Sequence, residues 1–171
     1  MEADQPAVSF QSASAAETER LAERLARALP SGSAITLAGP LGAGKTCFVR
    51  GMAKGLGVDP RTVSSPTFVV VNEYERRSDG GGSGAASESD RACLIHVDAY
   101  RLSGPEELDT LGWDEILADS DCVLAIEWPE RIGEALPAKR IDVRIDHGPA
   151  GERLISIWGD AAVLNAAFGS V

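Results

Sequence analysis

Apolar residues in the first part of the chain recur with helical and then strand-like spacing. The segment SAAE (14–17) fits a capping box, and leucines then recur every four residues at positions 21, 25 and 29. This pattern predicts a helix over about residues 15–29. The apolar run SAITLAG (33–39) predicts a buried strand, and KTCFVRGMAKGLG (45–57) predicts a helix that ends at Gly57. The predicted order is therefore helix, strand, glycine-rich loop, helix.

The middle of the chain alternates further strands with short helices. Three apolar runs predict strands: TFVVVNEYE (67–75), ACLIHVDAY (92–100) and CVLAIE (122–127). Residues 101–119 predict one or two short helices, because Pro105 suits a first helical turn and the acidic residues after it complement the helix dipole. PERIGEAL (129–136) predicts a helix opened by its proline.

The C-terminal part has the pattern of a hairpin followed by a helix. RIDVRID (140–146) and RLISIW (153–158) alternate apolar and polar residues on either side of HGPAG, and AAVLNAAF (161–168) predicts a short helix. A Gly/Ser-rich stretch predicts a mobile surface loop over about residues 78–90, and residues 1–6 are expected to be a disordered tail.

Length and composition narrow the class of protein. The chain has 171 residues, of which 44% are hydrophobic and 25% charged, as in one ordinary globular domain. Its formal net charge of -10 disfavours direct binding to nucleic acid, so any tRNA role is expected to be indirect. Neither a membrane-spanning run nor a signal-peptide core is present, and a cytoplasmic location is expected. The three cysteines form no CxxC pair, so free, buried thiols are expected.

The loop GPLGAGKT, residues 39–46, is the first candidate for chemistry and is called the glycine loop below. Gly39, Gly44, Lys45 and Thr46 match G-x-x-x-x-G-K-[ST] between a predicted strand and a predicted helix, which is the context this phosphate-binding motif requires. Backbone N–H groups of such a loop and the following helix N-terminus bind phosphates. Lysine would reach the β- and γ-phosphates, and the threonine hydroxyl would bind Mg²⁺. We expect the nucleotide, ATP or ADP, to contact Gly39, Leu41, Gly42, Ala43, Gly44, Lys45, Thr46 and Cys47.

Two carboxylates and one threonine are candidates for the catalytic and metal-binding roles. Asp98 and Glu127 each end a predicted buried strand, and in open α/β sheets the carboxyl ends of strands line the ligand crevice. Thr67, in SSPTF, stands in a turn that suits a switch-like loop near the γ-phosphate. Mg²⁺ needs a carboxylate besides the Thr46 hydroxyl, and either Asp98 or Glu127 could supply it, while the Thr67 hydroxyl could lie near the γ-phosphate or the attacking water. His96 alternates with apolar neighbours and is predicted to be a structural strand residue rather than a general base.

The same motifs resemble a known family. GPLGAGKTCFVRG, SSPTFVVVNEY, HVDAYRL, EELDTLGWDE and AIEWPER occur in the order and approximate spacing of the bacterial TsaE (YjeE) family, and the resemblance covers roughly residues 9 to 158. It implies a single domain over residues 1–171: a three-layer α/β, P-loop NTPase-like domain with a mixed, largely parallel central sheet and a C-terminal β-hairpin.

The resemblance also implies a function and partners. Family members are ATPases that support the synthesis of threonylcarbamoyladenosine at position 37 of tRNA by acting on a TsaB–TsaD complex, in which TsaD carries out the transfer. Lys45 and Thr46 match the family's lysine and magnesium ligand, and Glu127 matches its acidic magnesium ligand. Asp98 matches the functionally important aspartate of the family's H-x-D-x-Y-R segment, and Thr67 matches the threonine of its S-P-T turn. Either Asp98 or Thr67 would then position the attacking water, while Thr46 and Glu127 bind Mg²⁺. Trp128 matches the tryptophan that follows the family's acidic ligand, and in the last hairpin Arg153 is similar to a family arginine near the nucleotide.

Other nucleotide-dependent functions stay open on the sequence alone. A small-molecule kinase shares the glycine loop and would need lid arginines, for which only Arg76, Arg77 and Arg91 flank the Gly/Ser-rich stretch. A GTPase is disfavoured because the chain has no N-K-x-D guanine-reading pattern. The remaining alternative is a binding module gated by the nucleotide, in which hydrolysis is incidental.

Overall fold

The computed structural model describes residues 7–64, 71–75 and 93–169. This part of the chain contains the strands β1 (Val8–Ser12), β2 (Ala34–Ala38), β3 (Val71–Glu75), β4 (Cys93–Asp98), β5 (Cys122–Glu127), β6 (Ile141–His147) and β7 (Arg153–Trp158). Its α-helices are α1 (Ala15–Ala28), α2 (Lys45–Gly55), α3 (Trp113–Ala118) and α4 (Ala161–Phe168). Short 3-10 helices span Pro60–Thr62, Ala99–Arg101, Pro105–Leu111, Pro129–Arg131 and Gly133–Ala135.

The strands of the described residues form one mixed sheet in the order β1-β7-β6-β2-β5-β4-β3. The four central strands, from β6 to β4, are parallel, whereas β3 at one edge and β7 and β1 at the other pair antiparallel. The predicted α/β class and the C-terminal hairpin of β6 and β7 are both confirmed. Because β2, β5 and β4 are parallel neighbours, their carboxyl ends meet at one edge of the sheet.

Helices and turns cover the two faces of the sheet, which gives the expected three layers. On one face, Leu25 of α1, Phe48 of α2 and Leu164 of α4 pack with apolar residues of the central strands. On the other face, Leu108 and Trp113 pack against β4 and β5. Alternation along each strand decides which side chains enter which core.

The start of α1 shows the predicted capping box. The Glu17 N–H donates to Ser14 Oγ at 3.2 Å, and the Glu17 carboxylate accepts the Ala13 N–H at 2.7 Å. The bond to Ser14 satisfies an N–H of the first helical turn, and the Glu17 carboxylate binds the N–H one residue before the N-cap instead of the N-cap N–H itself. The helix then ends at Ala28, one residue before the predicted end.

Two elements differ from the sequence prediction. PERIGEAL forms two 3-10 helices rather than an α-helix, because Gly133, the first residue of the second one, has a φ of 41° and interrupts the α-helical backbone. The strand β1 was not predicted, although Val8, Phe10 and Ser12 turn inward while Ser9 and Gln11 are exposed. That alternation was its signal in the sequence.

The expectation of free thiols is wrong for two of the three cysteines. Cys93 and Cys122 begin neighbouring parallel strands, lie opposite each other in register, and form a disulfide with their Cα atoms 4.4 Å apart. They are 29 positions apart in the chain, so only the strand pairing brings them together. Cys47 is free, as expected, and half-buried.

Three predictions fall wholly or partly on residues outside those that the structure describes: the disordered tail at 1–6, the mobile loop at 78–90 and the start of the strand predicted over 67–75, which includes Thr67. In the ranges it does describe, no helix is long and apolar enough to cross a membrane.

Candidate functional site

The glycine loop joins β2 to α2, and two of its glycines have a structural reason to be there. Gly39 has a φ of 143°, and a Cβ at this position would collide with the Ile145 carbonyl oxygen of β6. Gly44 has a φ of 106° and is the N-cap of α2. A side chain at either position would strain the backbone, so glycine lets the loop pass close to β6 and turn directly into the helix.

Lys45, the first residue of α2, points back into this loop. Its Nζ donates to the carbonyl oxygens of Gly39 at 2.7 Å and Pro40 at 2.9 Å, and lies 3.7 Å from the centroid of the Trp128 ring. Burial lowers the pKa of Lys45, and the carboxylates of Glu127, Glu130 and Asp98 oppose that shift. The ammonium group is therefore held at the loop by carbonyl oxygens, an aromatic face and nearby negative charge.

Glu127 lies beside the loop because it ends β5, the strand next to β2. Its side chain is buried, and its Oε1 accepts two hydrogen bonds of 2.9 Å, one from the Thr46 hydroxyl and one from His96 Nε2. Thr46 and Glu127 are 81 positions apart in the chain. The fold thus brings together the two residues predicted to bind Mg²⁺.

Asp98 ends β4 directly opposite Glu127 in the register of the two parallel strands. Its Oδ1 accepts the Tyr100 N–H at 3.0 Å, which caps the 3-10 helix that follows. Burial is the main cause that raises the pKa of Asp98; the Tyr100 N–H lowers it and the negative charge of Glu127 raises it further. Asp98, which is half-buried, and Glu127, which is buried, therefore lie side by side at the edge of the sheet where the parallel strands end.

A cleft of about 400 Å³ joins these groups, which is within the size range of small-molecule sites. Its lining contains residues predicted to contact the nucleotide and the two acids predicted at the strand ends. The first group is Leu41, Gly42, Gly44, Lys45, Thr46 and Cys47, and the second is Asp98 and Glu127. Tyr100, Arg101 and Trp128 complete the lining. Gly39 and Ala43, which were also predicted to contact the nucleotide, do not line this cleft.

Arg153 reaches the glycine loop from β7 and binds its backbone. Its Nε donates to the Ala43 carbonyl at 2.9 Å, and one terminal nitrogen donates to the Gly42 carbonyl at 3.4 Å. The other terminal nitrogen donates to the carbonyls of Gly151 and Glu152. Arg153 was expected near the nucleotide, and that placement stays a prediction, because Arg153 does not line the cleft and its contacts are with the loop's carbonyl oxygens.

Trp128, the residue after Glu127, has a left-handed backbone with a φ of 60°. Among the non-glycine residues in the described ranges, it alone has a positive φ. Its ring packs against Tyr100 with centroids 4.8 Å apart, and the Arg131 guanidinium lies 5.7 Å from the Tyr100 ring. A bulky residue in this conformation is strained and persists only where its surroundings fix it. The contacts with Lys45 and Tyr100 are what fix it here.

Sequence reasoning missed two members of the site, and one predicted member is not described. The His96 contact with Glu127 and the place of Tyr100 in the cleft were not predicted. The signal for His96 was its spacing of two from Asp98, which puts both side chains on one face of β4. Thr67 lies outside the described residues, so its placement stays a prediction.

The fold and site together define a class of protein. A glycine loop between a strand and a helix, with an acid at the end of the neighbouring parallel strand, is the arrangement of a P-loop NTPase-like fold. The crystal structure of YdiB from Bacillus subtilis is similar, with a TM-score of 0.65 and 30% identity, covering 88% of this chain and 83% of that one.

Sequence comparison identifies the family within this class. The family profile "Threonylcarbamoyl adenosine biosynthesis protein TsaE" matches residues 12–155. The tRNA threonylcarbamoyladenosine biosynthesis protein TsaE of Streptomyces coelicolor is 42% identical over 127 residues, 74% of this chain and 76% of that protein. The protein of the same name from Bacillus subtilis is 37% identical over 140 residues, 82% of this chain and 78% of that protein. The chain belongs to the TsaE family, whose members act in tRNA threonylcarbamoyladenosine biosynthesis.

Proposed function

We propose that the chain binds Mg-ATP in the cleft at the glycine loop and hydrolyses it, and that this ATPase supports threonylcarbamoyl modification of adenosine 37 in tRNA by acting on a TsaB–TsaD complex. The observation that carries the proposal is the convergence of Lys45, Thr46 and Glu127, with the Thr46 hydroxyl 2.9 Å from the Glu127 carboxylate. A glycine-rich turn with no ligand to bind would not require a buried carboxylate from another strand beside it.

The donor set at this convergence fits Mg²⁺. Thr46 offers a hydroxyl oxygen and Glu127 a carboxylate, and hard oxygen donors are what this ion prefers. Among the described residues, Thr46 and His96 hydrogen-bond the Glu127 carboxylate through their side chains, and both bonds are to Oε1. When bound, Mg²⁺ would neutralise charge that develops on the β- and γ-phosphates.

Other residues of the chain would bind the phosphates and orient the attacking water. Backbone N–H groups of the glycine loop and the N-terminus of α2 would bind the phosphates. Lys45 would exchange the Gly39 and Pro40 carbonyls for phosphate oxygens, which are stronger acceptors because they are charged. Asp98 stands at the cleft with a raised pKa, which makes it a better proton acceptor than an ordinary aspartate. We assign to Asp98 the orientation of the attacking water, with Thr67 as the alternative.

The charge of the chain supports an indirect role toward tRNA. A formal net charge of -10 repels a polyanion, so contact with tRNA would go through the partner proteins. ATP hydrolysis would then act on the partner complex rather than on the RNA.

The test is phosphate release from Mg-ATP by the full chain, alone and with TsaB, TsaD and tRNA. Lys45→Ala is expected to weaken nucleotide binding, and Glu127→Ala to abolish magnesium-dependent release. Lys139→Ala and Glu134→Ala, which change exposed residues away from the cleft, are the matched controls.

Three outcomes separate the proposal from its alternatives. Release that partners stimulate, and that both site variants lose, supports the partner-coupled ATPase. Nucleotide binding without release in every mixture would favour the gated binding module. Phosphate transferred to a small acceptor would make the chain a kinase and the proposed reaction wrong.

A further inference from the structure

A second buried polar residue accompanies Glu127 and is not explained by the glycine-loop motif. His96 lies in the middle of β4 with 0% of its surface exposed, and its Nε2 lies 2.9 Å from Glu127 Oε1. A buried imidazole or carboxylate costs free energy unless it is hydrogen-bonded. Each of these two side chains therefore stabilises the other in the core beneath the cleft.

The chemistry of the pair assigns the proton between them. A carboxylate that binds Mg²⁺ is ionised and only accepts hydrogen bonds, so in that role of Glu127 the hydrogen must be carried by His96 Nε2. The other ring nitrogen, Nδ1, is buried and has no hydrogen-bond partner among the described residues. A neutral ring with its hydrogen on Nε2 leaves a lone pair, rather than a donor, at that position.

Strand geometry explains why the histidine is at this position. Asp98 and Glu127 are opposite in the parallel register of β4 and β5, and His96 is two residues before Asp98 on the same face. His96 is thus the diagonal neighbour of Glu127, one pleat deeper in the sheet. His96 and Glu127 both belong to hydrogen-bonded central strands, whereas Thr46 comes from the helix at the end of the loop.

We propose that His96 is a positioning residue for the metal site: its Nε2–H fixes the Glu127 carboxylate in the orientation that binds the magnesium of Mg-nucleotide. This inference rests on the proposed function, since it assigns a role toward the ion of that same site. A hydrogen bond from an outer residue to a ligand orients it, and its loss typically weakens metal binding by about 10–100-fold. The histidine itself contacts neither nucleotide nor ion.

The experiment uses the full chain and compares substitutions that differ in reach. A glutamine side chain in place of the histidine puts an amide N–H near the position of Nε2, whereas an asparagine is one bond shorter, so we use His96→Gln and His96→Asn. His96→Leu fills space without a donor. His147→Gln, at an exposed histidine, is the matched control. Thermal denaturation of every variant shows which of them fold.

Two readouts are independent of turnover. Binding of Mn²⁺, a paramagnetic substitute for Mg²⁺, is measured by electron paramagnetic resonance in the complex with ADP. The affinity for fluorescent ADP is measured with Mg²⁺ and with EDTA. We expect His96→Leu and His96→Asn to weaken Mn²⁺ binding about tenfold or more, with affinity in EDTA within about twofold of wild type, and His96→Gln to restore most of the loss.

The outcomes separate this inference from the proposed function. Equal losses with Mg²⁺ and with EDTA, or no difference between glutamine and asparagine, would mean that His96 only fills the core, and the inference would be overturned alone. If His96→Leu does not fold, the glutamine and asparagine pair decides the question in the same way. If wild type binds no nucleotide with Mg²⁺, the proposed function is overturned and this inference with it.

Discussion

Substitution of Arg153 distinguishes two roles for the arginine beside the glycine loop. The guanidinium either supports the loop through the Ala43 and Gly42 carbonyls, as its contacts indicate, or supplies positive charge to the bound nucleotide. Arg153→Lys keeps the charge but loses the planar fork of N–H donors, whereas Arg153→Gln loses the charge. We expect both variants to bind nucleotide more weakly, and by similar factors.

The expected loss of nucleotide affinity is calculated from the shorter of the two bonds, the one from Arg153 Nε to the Ala43 carbonyl. Its length is 2.9 Å, and it joins a cation to a carbonyl oxygen at a half-buried position. Hydrogen bonds to charged groups contribute about 1.5–3 kcal/mol, and partial exposure favours the lower end. If the loop must hold its present conformation to bind phosphates, a loss of about 1.5 kcal/mol weakens nucleotide binding about tenfold.

Equilibrium titration with fluorescent ADP and Mg²⁺ measures this factor. Arg61→Lys is the control, because that arginine pairs with Asp59 at an exposed position. Thermal denaturation should show that each variant is folded at the titration temperature. Affinity of Arg153→Lys within about twofold of wild type, together with a tenfold loss in Arg153→Gln, would refute the supporting role and assign Arg153 to the nucleotide's charge.

Two further predictions concern stability. Reduction of the disulfide between Cys93 and Cys122, whose sequence separation is 29, should lower the free energy of unfolding by about 3.6 kcal/mol and the melting temperature by about 7–14 °C. Cys93→Ser should remove this response to reductant, and a melting temperature of wild type that reductant does not change would contradict it. Burial raises the pKa of Asp98 above its ordinary value of 3.8, so the contribution of Asp98 to stability falls as pH rises through the window from 3.8 to the raised pKa. Asp98→Asn should therefore melt higher than wild type near neutral pH, with the difference shrinking toward about pH 4, and it should hydrolyse ATP more slowly. Equal melting temperatures at both pH values would contradict this reasoning.

Local sequence signals predicted most of the fold because they act within single elements. The capping box at Ser14 and Glu17, the alternation of β6 and β7 and the glycine after α2 each depend on neighbours a few residues away. PERIGEAL was predicted wrongly for the same reason: its opening proline suits an α-helix and a 3-10 turn equally, and the backbone of Gly133 decides between them. The order of the strands was not predicted, since it depends on which of them pair.

In the site too, local sequence signals identified individual residues, whereas the contacts between residues distant in the chain were not predicted. The glycine loop and the two strand-end acids were found because each carries its own motif or position. The contacts of Glu127 with Thr46 and with His96 required the register of β2, β5 and β4. The disulfide required that register too. Pairings of this kind are set by the packing of the whole sheet, so a single sequence contains no short-range signal for them.

The antiparallel pairing of β3 with β4 has a practical consequence for engineering. Glu75 and Cys93 are register partners, and Cys93 is the first residue of β4 while Asp98 is the last. Five residue steps along a strand correspond to about 16 Å, so the chain that connects β3 to β4 joins the sheet at the end remote from the two acids. Extra residues added between positions 75 and 93 would leave the spacing of Asp98 and Glu127 unchanged. A fluorescent or affinity tag inserted between Glu75 and Cys93 would therefore leave and rejoin the sheet at the end remote from the two acids.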